Sequence, residues 1–136
     1  MTRLRTFIVE DSAVMRESLT GTLEELAEVD VVATANSERS ALAWLAANNS
    51  SELLLVDVFL QSGSGLSVLG ASVQLGRPRW RVVVTNYATP EMRAQCLKLG
   101  ADRVFDKSHD IDSLVSYCRD LAHSIGRSSE ASDRPW

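Results

Sequence analysis

Residues 53–65 read LLLVDVFLQSGSG. The unbroken apolar run Leu53 to Val56 lacks the two-residue alternation of a half-exposed strand. It suits a strand covered on both faces, as in a parallel sheet between helical layers. Asp57 follows at once, with Val58 and Phe59 beyond it. A carboxylate set in so much apolar surface is costly unless it is paired or needed there. The segment Gln61 to Gly65 then breaks the pattern as a loop.

Outward from this stretch the same design recurs. Apolar runs at Leu4–Val9, Val29–Ala35, Leu53–Val58, Trp80–Val84 and Arg103–Phe105 alternate with helical periodicity. Met15, Leu19, Leu23 and Leu26 mark a first helix, and Ala41, Leu42, Trp44 and Leu45 a second. A weaker pattern over GSGLSVLGASVQLG marks the third, and PEMRAQCLKLG the fourth. Ile111, Leu114, Val115, Cys118, Leu121, Ala122 and Ile125 form the clearest amphipathic face, on the fifth. Ser12, Thr89 and Asp110 are read as N-caps, Pro90 as a first helical residue, and Gly76 and Gly100 as stops. Five strands alternating with five helices predict an α/β fold, a doubly wound five-stranded parallel sheet.

A chain of 136 residues that is 45% hydrophobic fits one cored domain. We place it at residues 1–126, with 127–136 a short polar tail. Net charge is −4 and the pI is about 5.1, which argues against direct nucleic-acid binding. Cys96 and Cys118 lie within helical apolar patterns and read as core, not as a metal or disulfide framework. No signal-peptide core opens the chain, and no segment approaches the ~18 apolar residues of a membrane span, so a cytoplasmic protein without membrane contact is expected.

Right-handed βα units bring every strand's carboxyl end to one edge of the sheet. Those ends carry Glu10-Asp11, Asp57, Thr85 and Lys107. Strand-end polar residues are often only helix caps, but four such ends together favour a site. Unit charges 4 Å apart interact by about 4 kcal/mol at an effective dielectric near 20, so three neighbouring acids need cations. Lys107 supplies one, and an oxygen-only site with few protein ligands suits Mg²⁺. A carboxylate, a divalent metal, a lysine and a hydroxyl meet the needs of phosphoryl transfer to an aspartate. No glycine-rich phosphate loop of the nucleotide-binding type is present.

In residue type and spacing, the chain from about residue 4 to 125 resembles the receiver domains of bacterial two-component response regulators. The acidic pair after strand 1, the acid after strand 3, the glycine eight residues on (Gly65), the hydroxyl after strand 4 and the lysine 22 residues later all have counterparts here, as does LGAD at 99–102. The resemblance implies a flavodoxin-like sheet of order 2-1-3-4-5. It implies that Asp57 accepts a phosphoryl group from a sensor histidine kinase or a histidine phosphotransfer protein. Asp11, Asp57 and the Phe59 carbonyl would hold Mg²⁺, with Glu10 acting through water. Thr85 and Lys107 would grip the phosphoryl oxygens and switch the region between the fourth strand and the fourth helix. The face built from the fourth helix, the fifth strand and the fifth helix (the α4–β5–α5 face, here PEMRAQCLKLG, Arg103–Phe105 and the pattern from Ile111 to Ile125) would bind an output protein. Such a chain is no enzyme beyond its own phosphorylation and dephosphorylation.

This sequence departs from that family's pattern at three places. Gln61 stands where proline is common, and Ser108 stands where a proline, often cis, follows the lysine. A cis Lys107–Ser108 bond would mark an enforced site. Val104 holds the place of the switch aromatic, with Phe105 predicted on the other face. Phe59 and Tyr87, each two residues beyond a site residue, are candidates to modulate access to Asp57, with simple loop packing the alternative. His109 is read as an exposed helix-entry residue, His123 as a solvated face and Trp44 as core. Other readings are a phosphorelay shuttle, a receiver excised from a longer transcriptional regulator, a Mg²⁺-dependent aspartyl phosphatase and a non-phosphorylated docking module. The phosphatase reading lacks a second acid at position 59, where Phe59 stands.

Overall fold

The apolar runs become strands packed between helical layers, most completely in the central run Leu53–Val56, which is buried throughout. In order the elements are β1 (Leu4–Val9), α1 (Ala13–Leu26), β2 (Val29–Ala35), α2 (Glu38–Ala47), β3 (Leu53–Val56), α3 (Gly65–Leu75), β4 (Trp80–Thr85), α4 (Pro90–Leu99), β5 (Arg103–Asp106) and α5 (Ile111–Ser132). The computed structural model describes residues 3–132, with side chains through Ile125. The strands pair in parallel in the order β2-β1-β3-β4-β5, the doubly wound sheet predicted from the sequence.

Successive residues of each strand feed two separate cores. Leu4, Ile8, Leu53, Leu55, Val82, Val84 and Phe105 pack with Leu19, Leu23, Leu114 and Cys118 of α1 and α5. Phe7, Val9, Leu54, Val56, Val83 and Val104 pack with Ala41, Leu45, Val68, Leu69 and Cys96 of α2, α3 and α4. Full burial of each large aliphatic side chain contributes roughly 1.5–3 kcal/mol. Val104 and Phe105 thus face opposite layers, as the sequence implied. Trp44 stacks on Phe7 with ring centroids 4.2 Å apart at the core's margin, and both cysteines are buried and free.

The element boundaries follow local chemistry. Ser12 Oγ accepts from Met15 N and Thr89 Oγ1 from Met92 N, and Pro90 opens α4. Gly76 and Gly100 end α3 and α4 with φ of 70° and 115°, in the left-handed region. Two expectations change. β3 ends at Val56, two residues early: Asp57 N still donates to Val9 O, but Val58 O turns to accept from Gly65 N. Asp110 precedes α5, yet its carboxylate turns back to accept from Asp106 N at 2.9 Å. In addition, α5 runs through Ser132, so residues 127–132, read as tail, continue the helix.

The edge strand β2 is irregular. Its register on β1 shifts between Thr6 and Phe7, which face Val31 and Ala33, so Val32 is an extra residue. Beside it Val31 N donates to Glu24 Oε2 at 3.1 Å. Among the described residues no helix is long and apolar enough to cross a membrane.

Candidate functional site: an acidic pocket closed by a lysine

The chain leaves β1 for β2 on one side, while β3 lies on the other. This reversal of strand order opens a crevice at the carboxyl ends of β1 and β3. The residues set into it are Glu10 and Asp11, directly after β1, and Asp57, directly after β3. One carboxylate oxygen from each lies within 4.8 Å of the others. The backbone fixes them: Glu10 N donates to Ala35 O and Asp57 N to Val9 O, extending the ladders by one residue. Arg16 Nη1 donates to Glu10 O at 2.8 Å.

Lys107, just past β5, reaches back across the edge. Its ammonium lies 2.6 Å from Asp57 Oδ2 and also contacts Glu10 Oε1. The three side chains are 7%, 8% and 2% exposed, so water screens these charges little. Burial pushes the Glu10 carboxyl above its usual range, against the opposing pull of Lys107 and the Ser12 amide. Burial also disfavours the Lys107 ammonium, but Asp57 and Glu10 together hold its pKa above the ordinary value. With one cation against three acids, the pocket is electron-rich at its centre.

The remaining oxygens are held by main-chain donors. Asp57 Oδ1 accepts from Phe59 N at 3.2 Å, Glu10 Oε2 from Ser12 N at 3.0 Å, and Asp11 Oδ2 from Gln61 N at 2.6 Å. Gly65 is required: a Cβ there would lie 1.8 Å from Asp57 O. The start of α3 can press on the Asp57 peptide only without a side chain. Thr85 is fully buried at the end of β4. Its Oγ1 accepts from Tyr87 N, and its carbonyl accepts from Lys107 N.

The geometry brings together Glu10, Asp11, Asp57 and Lys107, with Thr85 on the same edge. Phe59 and Tyr87 meet edge to face, ring centroids 4.7 Å apart, and join the β3–α3 and β4–α4 loops. Both rings are about half exposed. His109 points outward, 3.3 Å from Asp106 Oδ1, and the half-exposed His123 lies 3.2 Å from Glu28 Oε2. The Lys107–Ser108 bond is trans, whereas Arg77–Pro78 is cis. Sequence reasoning missed the Arg16 contact and the Gln61 amide. Arg16 recurs four residues after the Ser12 cap, a helical spacing that could have flagged it, whereas a main-chain donor leaves no residue signature.

A hard divalent cation fits this donor set. It is oxygen-only, carries three carboxylates, and lies partly buried beside a protein cation that already shows the need for positive charge.

Comparison with known proteins agrees with the geometry. A search of curated proteins found no match. Among solved structures, the signal receiver domain of the putative response regulator NarL from Mycobacterium tuberculosis is 22% identical, with TM-score 0.79 over 90% of this chain and 98% of that one. A response regulator protein from Burkholderia pseudomallei with a phosphorylated aspartic acid, calcium ion and citrate is 23% identical, with TM-score 0.72 over 96% of this chain and 75% of that one. The response regulator domain of CheB from Thermotoga maritima is 18% identical, with TM-score 0.74 over 90% of this chain and 95% of that one. At these identities the likeness shows the fold. Residues 6–119 match the response regulator receiver domain, and with that span of matched sequence the chain belongs to the receiver domain family of two-component response regulators.

Proposed function

We propose that Asp57 is the phospho-acceptor of a phosphorylation-controlled signalling module. The observation that carries this is the Lys107 ammonium, 2.6 Å from Asp57 Oδ2 inside a buried three-carboxylate cluster. An Asp57 oxygen attacks phosphorus in line, the phosphorus–nitrogen bond of a phosphohistidine breaks, and the electron pair leaves with the imidazole. An aspartyl phosphate results. The Burkholderia structure, with its phosphorylated aspartic acid and calcium ion, supports this reading.

Asp11, Asp57 and the Phe59 carbonyl would hold Mg²⁺, with Glu10 acting through a water. When bound, the ion would supply positive charge that offsets the charge developing on the phosphoryl oxygens. Lys107 exchanges its contact with Asp57 Oδ2 for a phosphoryl oxygen. Thr85 turns its hydroxyl from the Tyr87 amide toward another. The added charge of about −1.5 to −2 draws both inward and shifts the β4–α4 loop. With Val104 in place of a ring, that shift rests on Thr85 and Tyr87. Phe59 and Tyr87 together limit the approach of water to the acyl phosphate. The donor is a sensor histidine kinase or a histidine phosphotransfer protein. The output is contact with a protein at the α4–β5–α5 face of a cytoplasmic module. Its only catalysis is its own phosphorylation and dephosphorylation.

The test is intact mass after incubation with acetyl phosphate and Mg²⁺. The protein gains one phosphoryl mass, and Asp57→Asn gains none. Labelling that survives in Asp57→Asn removes Asp57 from this role.

A further inference from the structure

The loop that follows Asp57 is exposed at Gln61, Ser62 and Gly63 and contains a glycine with φ of 91°. Such a segment is expected to move unless something outside it holds it. One hold is the pocket itself, where Gln61 N donates to Asp11 Oδ2 at 2.6 Å. The other comes from a different element. Glu38, the first residue of α2, accepts from Ser64 N through Oε1 at 2.8 Å, and its own N–H donates to Ser62 O at 3.0 Å. Packing between the two is so close that a Cβ on Gly63 would lie 2.3 Å from Glu38 Cβ. Glu38 is half-buried and forms no ion pair among the described residues. Its carboxylate is therefore committed to this loop.

We propose that Glu38 is a positioning residue for the acidic pocket: it clamps the β3–α3 loop from outside, and the clamped loop keeps the Gln61 amide on Asp11 and Phe59 in place beside Asp57. Glu38 touches none of the pocket's carboxylates in this arrangement. It acts through Ser62 O and Ser64 N, one and three residues beyond Gln61, whose amide does touch one, as partners behind a metal's direct ligands orient the ligands themselves. The proposal deepens the reading of the pocket as a Mg²⁺ site and rests on it for its second measurement only.

Two measurements on the unphosphorylated protein test it. The first is amide hydrogen exchange at Gln61 without Mg²⁺. Glu38→Ala should speed exchange there, although Glu38 does not contact that amide, while Glu38→Gln, which keeps an acceptor oxygen, should leave it unchanged. Gly63→Ala, which pushes the loop off Glu38, should act like Glu38→Ala. The second is calorimetric titration with Mg²⁺, where Glu38→Ala should bind about tenfold more weakly and Glu38→Gln as the parent does. An unchanged Gln61 exchange rate in Glu38→Ala overturns the clamp. Unchanged Mg²⁺ affinity, in a parent protein that binds Mg²⁺, overturns its effect on the site. A parent that binds no Mg²⁺ defeats the metal reading, and the exchange measurement still decides the clamp.

Discussion

Lys107 holds a single positive charge between two carboxylates that are almost sealed from water. Removing one partner of a buried ion pair leaves an uncompensated charge and costs about 3 kcal/mol or more. Lys107→Ala should therefore fold but lose about 3 kcal/mol in urea unfolding. The Glu10 carboxyl is raised by burial, so the cost of ionising it is absent below its ordinary value of 4.5 and grows as pH rises through the raised value. The defect of Lys107→Ala should accordingly shrink on acidification; a defect independent of pH would assign it to lost packing. Phe59 and Tyr87 carry a second prediction. If their paired rings limit water, Phe59→Ala and Tyr87→Ala each shorten the lifetime of the phosphorylated protein several-fold. Equal decay rates for parent and variants would leave the rings with a packing role. At this scale the sequence was informative where the chemistry lies in side chains at strand ends: Glu10, Asp11, Asp57, Thr85 and Lys107 all reach one edge. It was silent where the donor is a backbone N–H, as at Gln61 and Ser64.

Elements were legible wherever one force dominates. The apolar runs of β1 and β4, the Thr89-Pro90 start of α4 and the glycine stops of α3 and α4 each depend on local chemistry, and the structure matches them. The end of β3 was not legible, because Val58 could continue a ladder or turn toward α3, and Gly65 decides it by pressing on the Asp57 peptide. Asp110 had two uses for its carboxylate, and Asp106 N won over the helix start. The core face of α5 carries a prediction of its own. Deep burial pushes the Cys118 thiol from 9.0 up to about 12. Below pH 9 both folded and unfolded chains keep the proton. Between 9 and about 12 only the unfolded chain releases it, so stability falls as pH rises, by at most about 1.4 kcal/mol per pH unit from this group. Urea unfolding at pH 8 and pH 10.5 should show a shallower pH dependence in Cys118→Ala. Matching slopes would show that the thiol is not the group responsible.

For the whole molecule, the pocket links ligand to fold. Three acids meet only in the folded sheet, since they come from β1 and β3, some fifty residues apart (10 and 11 against 57). An ion bound there stabilises the folded state by about 2.7 kcal/mol at a concentration 100 times its Kd. Mg²⁺ should thus raise the unfolding free energy of the parent protein and do little for Asp11→Asn; equal gains in both would place the ion elsewhere. The sheet that gathers these acids also has two outer strands, and β2 is one of them. An outer strand with a regular row of free amides and carbonyls is a template on which a second molecule can add its own strand. Here the extra residue at Val32 breaks the spacing of that row, and Glu24 already occupies the Val31 amide. A strand arriving along β2 would meet a broken register and an amide already taken, so the same irregularity hinders the protein from polymerising through that edge.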